Sequence, residues 1–177
     1  AYVSNSGTER SEKKHSGSFA AEIKTIGWGE GTTAAAPISV IKKNTPGELF
    51  LGKMDNITPI YGLSYNSKPT AVRFYYIYEP EGNHSFKVEI SLFNGNTIIA
   101  KNEYNGEKSP DSNVYTEKIL DFNYDNDVKD IEVTNISIRF VSGENTNDEV
   151  DKASVKRKSR HIGNKLYIDD ISLIYDK

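Results

Sequence analysis

"SFKVEISLFN", residues 85–94, alternates without a break. Phe86, Val88, Ile90 and Leu92 fall on one side of the stretch, and Lys87, Glu89 and Ser91 on the other. Successive side chains of a β-strand point to opposite faces, so a period of two marks a strand with one face buried. Working outward, "AVRFYYIYE" (71–79) sets Val72, Phe74, Tyr76 and Tyr78 against Arg73, Tyr75 and Ile77. "SGSFAAEIKT" (16–25), "EKILDFNY" (117–124) and "NISIRFVS" (135–142) keep the same period, with Leu120, Phe122 and Tyr124, then Ile136, Ile138 and Phe140, as apolar sets. "PISVI" (37–41), "GELFLG" (47–52) and "TIIAKNEY" (97–104) read as shorter strands. Turn signals such as "TPGE", "EPEGNH" and "NGEKSPDSN" separate them. No stretch carries a helical i, i+3, i+4, i+7 stripe. Many short strands with regular turns predict an all-β chain: an antiparallel β-sandwich of jelly-roll type, one domain over 1–177.

Composition narrows the function classes. The 177 residues hold 22 Lys and Arg against 25 Asp and Glu, a net charge of −3 that favours neither nucleic acid nor an anionic membrane. With no cysteine, disulfides and thiolate metal sites are excluded. No apolar run reaches the roughly 20 residues of a membrane helix. The absence of Met or a leader at "AYVSNSGTER" suggests a trimmed chain. One segment, 142–164, runs from acids (Glu144, Asp148, Glu149, Asp151) to bases (Lys152, Lys156, Arg157, Lys158, Arg160) and reads as a long charged loop. It is either a solvated excursion or a basic patch for an acidic glycan. Nucleic acid is disfavoured, because no aromatic platform interleaves the bases.

No catalytic motif is present. His15, His84 and His161 sit beside Ser, Gly or Asn with no paired metal spacing and read as turn residues. "GWGEG" (27–31) displays Trp28, which either stacks on a sugar ring or caps the core edge. Strand alternation gives the sharper inference. The outward parity collects Arg73, Tyr75, Lys87, Glu89, Ser91, Asp121 and Arg139, and it takes Asp169 if Tyr167, Ile171, Leu173 and Tyr175 share one side. Planar bidentate groups suit hydroxyls and an aromatic ring suits the apolar face of a pyranose. The same residues are equally what a solvated outer sheet face carries.

The last strand poses a puzzle. In "NKLYIDDISLIYD" (164–176), Asp169 and Asp170 interrupt a run of sheet formers. A bulge that turns both carboxylates outward, or a pairing of Asp169 with Arg73 or Arg139, accounts for them.

"HSGSFAAEIKT", "PGELFLGK", "KPTAVRFYYIYEP" and "LYIDDISLIYD", in this order from His15 to the end, resemble the Bacteroidetes carbohydrate metabolism domain family. The resemblance implies a β-jelly-roll similar to carbohydrate-binding modules, with a sugar site on its concave sheet. It implies work in secreted, periplasmic or outer-membrane-surface proteins of glycan utilisation. It also allows a structural calcium near Asp169, beside the "HSG" turn.

The expectation is therefore a non-catalytic carbohydrate-binding domain. Trp28 and Tyr75 would stack on sugar rings, while Arg73, Glu89, Arg139 and Asp169 would bind hydroxyls or carboxylates. Two alternatives stay open. One is a glycoside hydrolase or lyase using Glu89 with Asp121 or Asp169; the other is an adhesive module that presents loops to a protein.

Overall fold

The computed structural model describes residues 7–28, 44–56, 58–143 and 160–175, with the backbone alone described for Trp28, Asn44 and Arg160. Among these every regular element is a strand, and no helix is long and apolar enough to cross a membrane.

Two antiparallel sheets form the sandwich. Sheet I runs β1 (Thr8–Ser11), β2 (Ala20–Trp28), β14 (Arg160–Ile174), β8 (Ala71–Glu79), β11 (Thr116–Asp121), with β3 (Asn44–Thr45) also on β2. Sheet II runs β12 (Asn123–Tyr124), β10 (Thr97–Gly106), β9 (Phe86–Asn94), β13 (Asn135–Val141), β4 (Glu48–Phe50), with β7 (Leu63–Ser64) also on β13. A separate hairpin joins β5 (Gly52–Asp55) to β6 (Thr58–Tyr61). This is the all-β jelly-roll sandwich that the alternation predicts.

The apolar sets meet between the sheets. Val72, Phe74, Tyr76 and Tyr78 of sheet I pack with Phe86, Val88, Ile90, Leu92, Ile138 and Phe140 of sheet II, all buried. Phe74 meets Phe140 edge-on at 5.2 Å, and Tyr78 meets Phe86 at 5.0 Å. Fully burying each such side chain contributes about 1.5–3 kcal/mol, which is what selects this register over one slipped by a residue.

One corner locks the sheets together. Ser142 Oγ lies 2.8 Å from Thr25 Oγ1 and accepts the Gly47 N–H at 2.9 Å. Tyr78 donates its hydroxyl to the Ser142 carbonyl at 3.0 Å. A side chain at Gly47 would lie 2.6 Å from the backbone oxygens of Gly7 and Lys24, so the close approach of β1, β2 and β4 requires glycine there.

The charged segment differs from its expected bounds. Arg160–Asn164, placed by the sequence in a loop, open β14 and pair with β2 through Trp28, Gly27 and Ile26. His161 is therefore a strand residue and not a turn residue; its Nε2 lies 2.5 Å from Glu81. Most of the segment, 144–159, and the "PISVI" strand lie outside the described residues.

Candidate functional site

The sandwich divides the residues that alternation groups together. Arg73, Tyr75 and Asp169 stand on the outward face of sheet I, whereas Glu89 and Arg139 stand on the outward face of sheet II, with the whole core between. Alternation separates inside from outside within a strand, but it is silent on which sheet the strand joins. The single hydrophilic face expected from the sequence is thus two faces. Trp28 ends β2, and its side chain lies outside the described residues. The proposed acid pairs fail on the same ground: Glu89 belongs to sheet II, and Asp121 and Asp169 to sheet I.

On sheet I the turn between β1 and β2 folds over the outward face. Lys13 Nζ reaches Glu79 at 2.6 Å and lies 4.3 Å above the Tyr167 ring, while Tyr115 donates to the Lys13 carbonyl at 2.8 Å. His15 stacks flat on Tyr75, with centroids 3.8 Å apart and planes at 11°. One face of the Tyr75 ring, expected to stack on sugar, is covered by the protein itself.

The adjacent aspartates anchor that turn. Register slips between Asp169 and Ser172, and Asp170 takes a left-handed φ of 48°, so the pair forms a β-bulge. Asp169 Oδ2 accepts the backbone N–H groups of His15 (2.8 Å) and Ser16 (3.1 Å), and its Oδ1 accepts that of Asp170 (2.8 Å). Asp170 takes His15 Nδ1 at 2.7 Å and the Ser16 hydroxyl at 2.8 Å; these hydrogen bonds hold its carboxyl below the usual range. The bulge is found, but Asp169 pairs with main-chain amides instead of an arginine. Past the bulge the alternation switches: Tyr167 and Asp169 share the outward row, yet Leu173 packs on the core.

This donor set does not fit calcium. The groups converging on Asp169 are N–H donors, whereas calcium needs six to eight oxygen ligands. Among the described residues no group of three or more His, Asp or Glu could hold a metal.

Sheet II presents a different surface. Glu103, Glu89, Arg139 and Phe50 lie side by side across β10, β9, β13 and β4. Arg139 forms a bidentate pair with Glu48 (Nη2 to Oε1 2.6 Å, Nε to Oε2 3.2 Å) and donates through Nη1 to Glu89 at 2.6 Å. Lys87 bridges Glu89 (2.9 Å) and Glu103 (3.2 Å). Tyr61, on the neighbouring hairpin, donates to Glu48 at 2.9 Å and lies 5.1 Å from the Arg139 guanidinium. Phe50 meets the Tyr61 ring edge-on at 4.9 Å.

The array is charged and still open to solvent. Burial pushes the Glu89 carboxyl up, but hydrogen bonds from Lys87 and Arg139 outweigh it and leave the group below its ordinary value. Hydrogen bonds to Glu48 and Glu89 raise Arg139, and those to Glu89 and Glu103 raise Lys87. The Glu103 side chain is 63 % exposed and Tyr61 43 %, so both ends of the row are accessible. Of these groups sequence reading finds Glu89 and Arg139. It misses Glu48, although "GELFLG" shows it opposite Leu49 in an alternating stretch. Tyr61 belongs to a two-stranded hairpin that carries no periodic signal.

A third feature is apolar. Leu49, Leu51, Ile138, Phe140, Ile171 and Leu173 line a cleft of about 330 Å³ at the sandwich edge. It offers almost no hydrogen-bonding groups.

No protein-family model matches the chain, and no curated protein matches it. Among solved structures the chain is similar to TmCBM61 in complex with beta-1,4-galactotriose, at 11% identity and a TM-score of 0.46, over 96% of this chain and 83% of that one. It is also similar to a glycoside hydrolase family 43 arabinoxylan arabinofuranohydrolase from Bacillus subtilis in complex with cellotetraose, at 9% identity and a TM-score of 0.38, over 98% of this chain and 28% of that one.

Proposed function

We propose that the chain is a carbohydrate-binding β-sandwich domain whose site is the outward face of sheet II. The observation that carries this reading is the Arg139 guanidinium, fixed between Glu48 and Glu89 beside the exposed ring of Tyr61. Of the five N–H donors of Arg139 the two glutamates engage three, and each carboxylate has lone pairs beyond those that Arg139 takes. Such groups receive sugar hydroxyls without rearrangement, which limits the ordering cost of binding. Tyr61 supplies an apolar surface for the C–H side of a pyranose.

Binding fits these residues better than hydrolysis. A general acid needs a raised carboxyl pKa, and Glu89 is held low by its two cationic neighbours. The family resemblance extends the reading to a secreted, periplasmic or surface-exposed bacterial protein of glycan utilisation.

Glycan-array screening followed by calorimetry on Tyr61→Ala and Arg139→Ala tests the reading, with Tyr75→Ala as a control on sheet I. Loss of binding in the first two with retention in the third supports it. Wild-type affinity in folded Arg139→Ala and Tyr61→Ala removes this face.

A further inference from the structure

Resting on that reading, we infer that the sheet II face selects a neutral glycan chain of about three units, laid across the strands, over an acidic glycan or a single sugar.

The charge pattern sets the class of ligand. Both cations of the array are already flanked by carboxylates: Lys87 by Glu89 and Glu103, Arg139 by Glu48 and Glu89. The five side chains carry three negative charges against two positive ones. A uronate or sulfate approaching either cation meets two carboxylates within the same contact shell, and like charges at that range oppose binding. A hydroxyl is both donor and acceptor, so it accepts from the free N–H groups of Arg139 and donates to the carboxylates without displacing a partner.

The layout sets the length. The row Glu103, Glu89, Arg139, Phe50 crosses four adjacent strands, and Tyr61 packs against its last member. Neighbouring strands lie about 4.8 Å apart, so the row spans roughly 14 Å, close to three pyranose repeats of about 5 Å. A monosaccharide engages one end of such a row. A trisaccharide reaches from the ring of Tyr61 to the carboxylate of Glu103. The exposed edge at Glu103 leaves a longer chain free to continue into solvent.

Calorimetry of the full chain with neutral gluco-, galacto- and manno-oligosaccharides of one to about five units, beside galacturonate oligomers of equal length, reads both claims. In the neutral series that binds, affinity is expected to rise about tenfold or more from one unit to three and then level, with galacturonates about tenfold weaker. Glu103→Ala, at an exposed position, is expected to weaken the trisaccharide several-fold and the monosaccharide by less, and an equal loss in both overturns the proposed length. A flat length series, or galacturonate binding as tightly as its neutral counterpart, overturns this inference while carbohydrate binding on the face stands. Absence of binding in every series, or undiminished affinity in Tyr61→Ala and Arg139→Ala together, overturns the underlying reading as well.

Discussion

On the outward face of sheet I the carboxylate of Asp169 meets backbone N–H groups of the β1–β2 turn, whereas on sheet II, among the described residues, the carboxylates of Glu48 and Glu89 meet other side chains. Both faces carry arginine, acids and an aromatic ring. On sheet I these groups hold the chain: His15 lies over Tyr75, and Tyr75 donates to Glu117 at 2.9 Å. On sheet II they hold one another in place and keep part of their hydrogen-bonding capacity facing water. Similar composition therefore supports two roles, and among the described residues what separates them is whether main chain lies on top.

The sharpest way to break this contrast is Arg139→Ala. It is expected to lower glycan affinity about 100-fold, near 2.7 kcal/mol, with a much smaller change in urea stability, since partly exposed ion pairs add at most about 1 kcal/mol. A large loss of stability would make the sheet II array structural as well. Asp169→Ala should do the reverse. Removing an acceptor for three backbone N–H groups should cost about 2 kcal/mol in urea unfolding while glycan affinity stays at the wild-type value. Tyr75→Ala should lower the urea midpoint by less than Asp169→Ala does, through the lost His15 stack, again with unchanged binding.

The smallest effect concerns acid. Asp170 has its pKa lowered in the folded protein, so its contribution is complete above the ordinary carboxylate value near about 3.9 and disappears as pH falls through the lowered value. Melting curves of wild type and Asp170→Asn should therefore differ by the same amount at neutral pH and in mild acid, and converge only in stronger acid. Glycan affinity should stay flat from roughly pH 5 to 9, because Glu89 is shifted down and Lys87 and Arg139 are shifted up.

Much of the architecture is legible in local pattern. Phe86 to Leu92, Val72 to Tyr78 and Ile136 to Phe140 alternate cleanly and all deliver their apolar side to the core. What pattern cannot supply is partnership. Glu89 and Tyr75 have the same parity in adjacent strands of the sequence, yet β9 pairs with β10 and β13 while β8 pairs with β14 and β11. That choice is made by contacts between residues far apart in the chain. Lys24 shows the same limit: it reads as a solvent-facing residue, but its side chain is 5 % exposed, with β1 alongside and Glu9 as its partner. His15 was visible only as part of a turn, because its stacking partner lies 60 residues away in sequence.

The extra residue at the Asp169–Ser172 bulge resets the phase of the closing strand. From Lys165 to Asp169, odd-numbered positions look outward; after the bulge, Ser172 opposes Arg73 on the outside and Leu173 opposes Val72 on the inside. Deleting Asp170 would thus do more than remove a carboxylate. It would straighten the strand, leaving Ser172 opposite Arg73 and Leu173 opposite Val72 while Ile171, now exposed, turns inward opposite Phe74. The doublet thus serves the β1–β2 turn through its carboxylates, while the phase of the tail rests on the pairing of Ser172 with Arg73 and Leu173 with Val72.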